Sequence, residues 1–143
     1  MKYSVLALTL VAITAACEPA AIRPAEIAAS TKIVAPAESV PAEYAAFSGL
    51  WTGSWGGCLD GKLAVQTIDA GGKATVVYAW GDHCKGRFKR GTTSVNGQIN
   101  NGVLSLERFR NNAKVTYTLR DDGALGGAYD LNGNVSRGIF TKS

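Results

Sequence analysis

From residue 49 onward, apolar and polar side chains alternate with a period of two, which is the pattern of a β-strand with one buried face. Ala74, Val76, Tyr78 and Trp80 share one face of such a strand. Similar runs recur about every ten residues and are separated by Gly, Asn and Asp, which favour turns. Eight strands are predicted, at Gly49–Gly56, Lys62–Ile68, Lys73–Trp80, Thr92–Ile99, Val103–Phe109, Lys114–Leu119, Leu125–Asp130 and Asn134–Thr141.

The one-sided strands have no predicted helix to cover their apolar faces. A meander of eight strands buries these faces, and removes its own edges, by closing on itself. The sequence therefore predicts an all-β fold, a small eight-stranded antiparallel up-and-down barrel over residues 48–143. Two packed four-stranded sheets are the alternative.

The chain ahead of the barrel has a different composition. All four prolines lie in residues 18–47, whereas all 17 glycines lie in the barrel region. Segment 18–47 is rich in alanine and has no strand pattern, so it cannot bury enough apolar surface to offset its ordering entropy. We predict that it is a disordered Ala/Pro-rich tether.

Residues 1–17 have the pattern of an export signal. Lys2 precedes an apolar run, residues 5–16, that is too short for a permanent membrane span. The sequence Thr14-Ala15-Ala16-Cys17 resembles a bacterial lipobox, which implies acylation of Cys17 and anchoring as a lipoprotein. Cleavage after Ala16 or Ala20, giving a soluble secreted protein, is the alternative. Either way, we expect an exported, periplasmic protein.

The cysteine count agrees with acylation. Three cysteines are an odd number for an exported chain, and lipidation of Cys17 leaves Cys58 and Cys84 to form a disulfide. That bond is expected to stabilise the domain by about 3–4 kcal/mol. A metal site of Cys58, His83, Cys84 and Asp60 is the alternative, but adjacent His and Cys lack the usual ligand spacing. No metal and no other cofactor is predicted.

Two family resemblances can be stated from these features. Gly49-Leu50-Trp51 and Arg137 are similar to the G-x-W motif and C-terminal arginine of calycin-type barrels, such as lipocalins, avidins and fatty-acid-binding proteins. The resemblance implies that Arg137 packs across Trp51. The order of lipobox-like cysteine, tether and disulfide-bonded barrel also resembles the Inh group of bacterial periplasmic protease inhibitors and outer-membrane lipoproteins.

The two ends of the barrel are predicted to carry opposite charge, because alternate loops of an up-and-down barrel share one end. The end with both cysteines is expected to be basic and to have Phe109 and Trp80 near it. The predicted ligand-binding residues there are Lys85, Arg87, Phe88, Lys89, Arg90, Arg108 and Arg110. The opposite end carries Asp69, Asp121 and Asp122. A basic mouth suits an anionic or amphiphilic partner; the alternative is that these charges only solvate the loops.

No catalytic residues are predicted, because His83 is the single histidine and neither Ser136 nor Thr141 has a visible activating partner. Nucleic acid is not an expected partner of an exported barrel. We expect a non-enzymatic binding protein of the cell envelope that engages an anionic or amphiphilic small molecule, an envelope polymer or a periplasmic protein. An inhibitor of a protease or another hydrolase is the alternative.

The predicted topology also implies an orientation. A tether that joins the first strand leaves from the acidic end, so the basic mouth is expected to point away from the membrane. Contact with the membrane is then expected only through the lipid anchor at Cys17.

Overall fold

A computed structural model describes residues 18–143. The predicted export signal and Cys17 lie outside this range. Eight strands form a closed barrel in which each strand is antiparallel to the next and β8 pairs with β1. The elements are α1 (Ala42–Ala45), β1 (Gly49–Trp55), β2 (Leu59–Ile68), β3 (Lys73–Trp80), β4 (Gly91–Asn100), β5 (Val103–Leu106), β6 (Lys114–Leu119), β7 (Leu125–Leu131) and β8 (Asn134–Lys142).

The predicted up-and-down barrel is confirmed, and two separate sheets are excluded by the closure. In residues 18–143, no helix combines the length and the apolar character needed to cross a bilayer. The turns β2–β3, β4–β5 and β6–β7 lie at one end, named the closed end. The connections β1–β2, β3–β4, β5–β6 and β7–β8 lie at the other, named the open end.

β5 is shorter than predicted, and this changes the wall of the barrel. It ends at Leu106 instead of Phe109 and pairs with β4 only between Gly97 and Asn100. Residues 107–113 leave the sheet in a turn that is held by the bond from Phe109 N–H to Ala113 O. The first half of β4 therefore borders this loop at the open end.

The half of the barrel nearer the closed end has a filled core. Its largest fully buried side chains are Phe47, Trp51, Leu63, Ile99, Leu104, Tyr117, Leu125 and Phe140. Phe47 precedes β1 and closes this end, because its carbonyl accepts a 2.9 Å hydrogen bond from Trp51 Nε1 while its side chain is completely buried.

Trp55 and Phe140 form the layer of this core nearest the open end, which is taken as the top of the barrel. Their ring centroids lie 5.0 Å apart. Inward-facing glycines on four strands make room for the two rings; they are Gly53, Gly61, Gly127 and Gly138. A Cβ atom at Gly127 would lie 2.7 Å from Trp55 Cη2 and 3.0 Å from Phe140 Cε2. At this level the two large rings therefore fill the barrel interior, and the glycines opposite them leave the space that the rings need.

The implied packing of Arg137 on Trp51 is wrong. Arg137 is exposed and pairs with Ala128, since inward positions of β8 are those of Phe140 and Lys142. Lys142 pairs with Trp51 across the β8–β1 seam, and its Nζ lies 4.9 Å from the indole centroid. A cation does cover this tryptophan, but it comes from a different position of the last strand.

Segment 18–47 also differs from the disordered tether that its composition predicted. Residues 23–34, named the strap, lie along the outer wall of β2. Ala25 N–H donates to Asp60 Oδ2 at 2.7 Å, and Val34 N–H donates to Gln66 O at 2.8 Å. Ala64 faces outward from β2 and is nevertheless fully buried, which we attribute to cover by the strap.

The start of the strap is fixed at the open end by Asp82, which follows β3. The Arg23 backbone N–H and guanidinium both donate to the Asp82 carboxylate at 3.0–3.1 Å, and the Arg90 backbone N–H donates to it at 2.8 Å. The chain that precedes Arg23 therefore leaves from the open, basic end. This corrects the expected exit from the acidic end.

The packing around Trp55 predicts unequal effects of alanine at two adjacent glycines. We expect Gly127→Ala to lower the free energy of unfolding by about 1–3 kcal/mol, because the new methyl group overlaps both aromatic rings. Gly126→Ala is the matched control: its Cβ would lie 3.8 Å from the nearest atoms, so we expect a change within about 0.5 kcal/mol. Urea unfolding of the two variants measures the difference, and equal stabilities would contradict the packing account.

The strap predicts a pH-dependent contribution to stability. Hydrogen bonds from Arg23 and from the Arg90 backbone hold the pKa of Asp82 well below its usual value of 3.8. Because the folded-state pKa is depressed, this contribution is complete above about pH 4 and is lost as the pH falls through the folded-state pKa. We expect Asp82→Asn to be less stable than the unaltered protein at neutral pH, with the difference shrinking in acid.

Urea unfolding across an acid pH series measures this difference. Asp122→Asn is the control, since Asp122 also pairs with an arginine, Arg120, but at an exposed site where ion pairs contribute little. A pH-independent effect of Asp82→Asn, or an equal loss in Asp122→Asn, would show that the Asp82 ion pair does not hold the strap.

Candidate functional site

The open end leads into a cup whose floor is Trp55. Above this ring the inward side chains, apart from the buried Tyr78, are only partly buried. Apolar and aromatic side chains line the cup: Trp55, Leu59, Tyr78, Trp80, Val95, Phe109, Tyr129 and Leu131. The cup continues into a groove over the outer face of β2–β4, and the two together have a volume of about 1320 Å³.

The aromatic wall of the cup is a connected cluster. The Tyr78 ring lies 5.0 Å from Phe109 and 5.9 Å from Trp80, and Phe109 lies 6.4 Å from Tyr129, measured between centroids. Phe109 reaches the cup because residues 107–113 have left the sheet. Because β5 stops at Leu106, the residues that follow it form one wall of the cup.

Trp80 is held by a bond outside the ring cluster. Its Nε1 donates to Lys89 O at 3.0 Å, and the opposite position on β4 is Gly91, which leaves space for the indole. The β3–β4 loop is therefore attached to the wall at the point where it begins to form the mouth.

Five of the seven predicted ligand-binding residues come together at the mouth. Arg87, Phe88 and Lys89 belong to the β3–β4 loop, and Arg108 and Arg110 belong to the β5–β6 loop; all five line the cup entrance. We name these five residues the rim.

The other two predicted residues have different surroundings. Lys85 is exposed and does not line the cup. Arg90 turns toward the strap, where its guanidinium lies 2.7 Å from the Glu26 carboxylate. Both were assigned to the mouth from loop membership, which does not determine the direction of a side chain.

The rim loop is braced by a disulfide. Cys58 and Cys84 are bonded, as predicted, with Cα atoms 5.4 Å apart. His83 Nδ1 accepts the Lys85 backbone N–H at 3.0 Å, and its ring packs edge-on to Phe88 at 5.0 Å. The exposed loop between Cys84 and Arg90 is therefore fixed at its base.

The alternative metal site is disfavoured by the same bond. The ligand atoms of Cys58, His83 and Cys84 lie within 4.8 Å of one another, but a disulfide removes the two thiolates that would bind a metal. The fourth candidate, Asp60, accepts the Ala25 N–H from the strap. His83 and the second oxygen of Asp60 are left as ligand atoms, which is fewer than the four of a structural metal site.

The tyrosines at and below the floor of the cup are uncharged. Burial raises the pKa of Tyr78, and it raises the pKa of Tyr117 well above its usual value, so both hydroxyls stay protonated. Within residues 18–143, Trp55 Nε1 and the Tyr117 hydroxyl are buried without a hydrogen-bond partner.

Sequence analysis missed part of this site. Phe109 and Trp80 were expected near the mouth, but Trp55, Tyr129 and Leu131 were not assigned to it. The period-two pattern does place Tyr129 and Leu131 on the inner face of β7. What the pattern lacks is the height along the barrel axis at which a filled core gives way to a cup.

No protein-family model matches the chain, and no curated protein matches its sequence. What the protein shares with calycins is the closed, eight-stranded antiparallel barrel.

Proposed function

We propose that the protein is a non-enzymatic binding protein that holds an amphiphilic anion, with an apolar body in the cup and an acidic group at the rim. The observation that carries this proposal is the axial separation of an aromatic cup from a cationic entrance. Arg87, Lys89 and Arg110 form no ion pair with any residue in 18–143, so their charges remain available to a ligand.

The two parts of the site favour different parts of such a ligand. Each methylene group moved from water into the cup contributes about 0.8 kcal/mol, so an alkyl or ring system supplies most of the affinity. The rim charges orient the ligand and speed its encounter with the protein, and their contribution falls with ionic strength. A compact inorganic anion would use the rim alone and bind more weakly.

A binding role also agrees with the surroundings of His83. Its Nδ1 accepts a backbone N–H, and its Nε2 lies 3.9 Å from the disulfide sulfur of Cys58. The imidazole is thus used to order the loop, which supports a structural role for it over general-base catalysis.

An exported, periplasmic location is part of the proposal, with acylation of Cys17 as its means of anchoring. The disulfide supports this location, because such bonds persist in oxidising compartments outside the cytosol. Cys17 itself lies outside the described residues.

Titration with dodecanoate tests the proposed site, with the fluorescence of Trp55 and Trp80 as the signal. We expect saturable binding that is weaker for dodecanol, which lacks the charge. Arg87→Ser/Arg110→Ser should weaken dodecanoate binding about tenfold and reduce its salt dependence. Val95→Trp should block binding by filling the cup.

The matched control is Lys32→Ser/Lys73→Ser, which removes two exposed cations away from the rim; its affinity should be unchanged. Binding that survives Val95→Trp in a folded protein would contradict the cup as the site. Failure of the unaltered protein to bind dodecanoate and related amphiphiles would favour the alternative, an inhibitor whose braced loop engages a hydrolase.

A further inference from the structure

The open end combines three features that the proposed cup does not require. The chain leading to the N-terminus leaves from this end, exposed apolar side chains lie there, and cations outside the cup add to its charge. The closed end is more balanced in charge, since its turns carry Asp69, Asp121 and Asp122 and Lys73, Arg120 and Lys142 lie beside them.

The strap determines where the rest of the chain can lie. Arg23 is fixed to Asp82 at the open end, and Cys17 precedes it by six residues. Whatever their conformation, these residues span at most about 22 Å. The described chain therefore starts near the open end, and residue 17 is within this reach of Arg23.

Two exposed apolar side chains flank this exit. Ile22, next to Arg23, is 60% exposed, and Phe88, at the tip of the rim loop, is 42% exposed. Exposed apolar groups beside cations are typical of surfaces that enter the headgroup region of a bilayer. Lys85 lies in the same loop and points to solvent outside the cup.

Three acidic groups at this end are engaged by the strap and by arginines; Glu107 and Asp130 also lie here and offset part of the charge of the five exposed cations, which leaves a positive balance. Asp82 is paired with Arg23, Asp60 accepts the Ala25 N–H, and Glu26 is paired with Arg90. Lys85 and the rim cations thus face outward as a positive surface. A layer of anionic lipid headgroups is a negatively charged partner wide enough to face all of these cations at once.

We propose that the open end docks on an anionic lipid bilayer, with Ile22 and Phe88 in the headgroup region and the cup facing the lipid. The docking proposal is argued from the surface of the open end alone. We also infer that the cup takes its amphiphile from that bilayer, and this second step rests on the proposed function. This orientation replaces the expectation that the basic mouth points away from the membrane.

Flotation of the full chain tests docking, with vesicles of phosphatidylcholine alone and of phosphatidylcholine mixed with phosphatidylglycerol. Any contribution of the apolar run in residues 5–16 is common to all variants. We expect tighter binding to the anionic vesicles, weakened by salt. Ile22→Ser/Lys85→Ser should lower that binding at least about fivefold, the factor for one cation near an anionic surface.

Lys32→Ser/Ile33→Ser is the matched control, since it removes the same two residue types from the part of the strap that lies along the barrel wall. It should leave anionic binding unchanged. Equal binding to both vesicle types, or equal effects of the two double variants, would overturn the proposal. So would binding to soluble polyglutamate without binding to anionic vesicles, which would identify an acidic polymer as the partner.

Trypsin reports the orientation directly. Anionic vesicles should slow cleavage after Lys85 and Arg87 at the open end and leave cleavage after Arg120 at the closed end unchanged; the reverse pattern would overturn the proposal. Neither Ile22 nor Lys85 lines the cup, so Ile22→Ser/Lys85→Ser should bind dodecanoate normally. If the unaltered protein binds dodecanoate but does not bind anionic vesicles, only the docking proposal is rejected. If it binds the vesicles but not dodecanoate, only the proposed function of the cup is rejected.

Discussion

The contact between Trp55 and Phe140 divides the barrel into two halves with different roles. Four inward glycines allow these rings to cross the interior at one level. Below them the core is filled as far as Phe47, and above them the same strands enclose a cup. Because protein interiors are close-packed and transmit small changes in volume, any side chain added at this level is expected to disturb both halves. The stability of the fold and the depth of the site therefore depend on the same contact.

The strap gives the barrel a second asymmetry. The chain enters β1 at the closed end, and without the strap the residues before it would also leave from that end, opposite the basic mouth. The carboxylates of Asp82 and Asp60 instead hold residues 23–25 at the open end. Cup, positive surface and N-terminal exit thus share one end. This arrangement joins the proposed ligand site to the proposed lipid-facing surface without requiring any movement of the barrel.

Local pattern was sufficient for the architecture and insufficient for the path of the strap. The alternation of Val76, Tyr78 and Trp80 predicts which face of β3 is buried, and turn residues locate the strand ends to within a few positions. Arg137 was misplaced because a family motif was given more weight than strand parity, which Phe140 would have corrected. The strap could not be found from composition, since the bond between Arg23 and Asp82 joins residues 59 apart. The rim was predicted in part because loop membership identifies the end of the barrel, although it does not determine where Lys85 or Arg90 points.

The central claim is that the cup above Trp55 is a binding site and the half below it is a packed core. The most direct test is nuclear magnetic resonance with bound dodecanoate, read as nuclear Overhauser effects between the ligand chain and protein methyl groups, which arise only at short range. The account predicts such effects at the methyl groups of Val95 and Leu131 in the cup and none at those of Leu104 and Leu125 in the filled half. Effects confined to methyl groups on the outer wall, such as Val135 and Ile139, would contradict it.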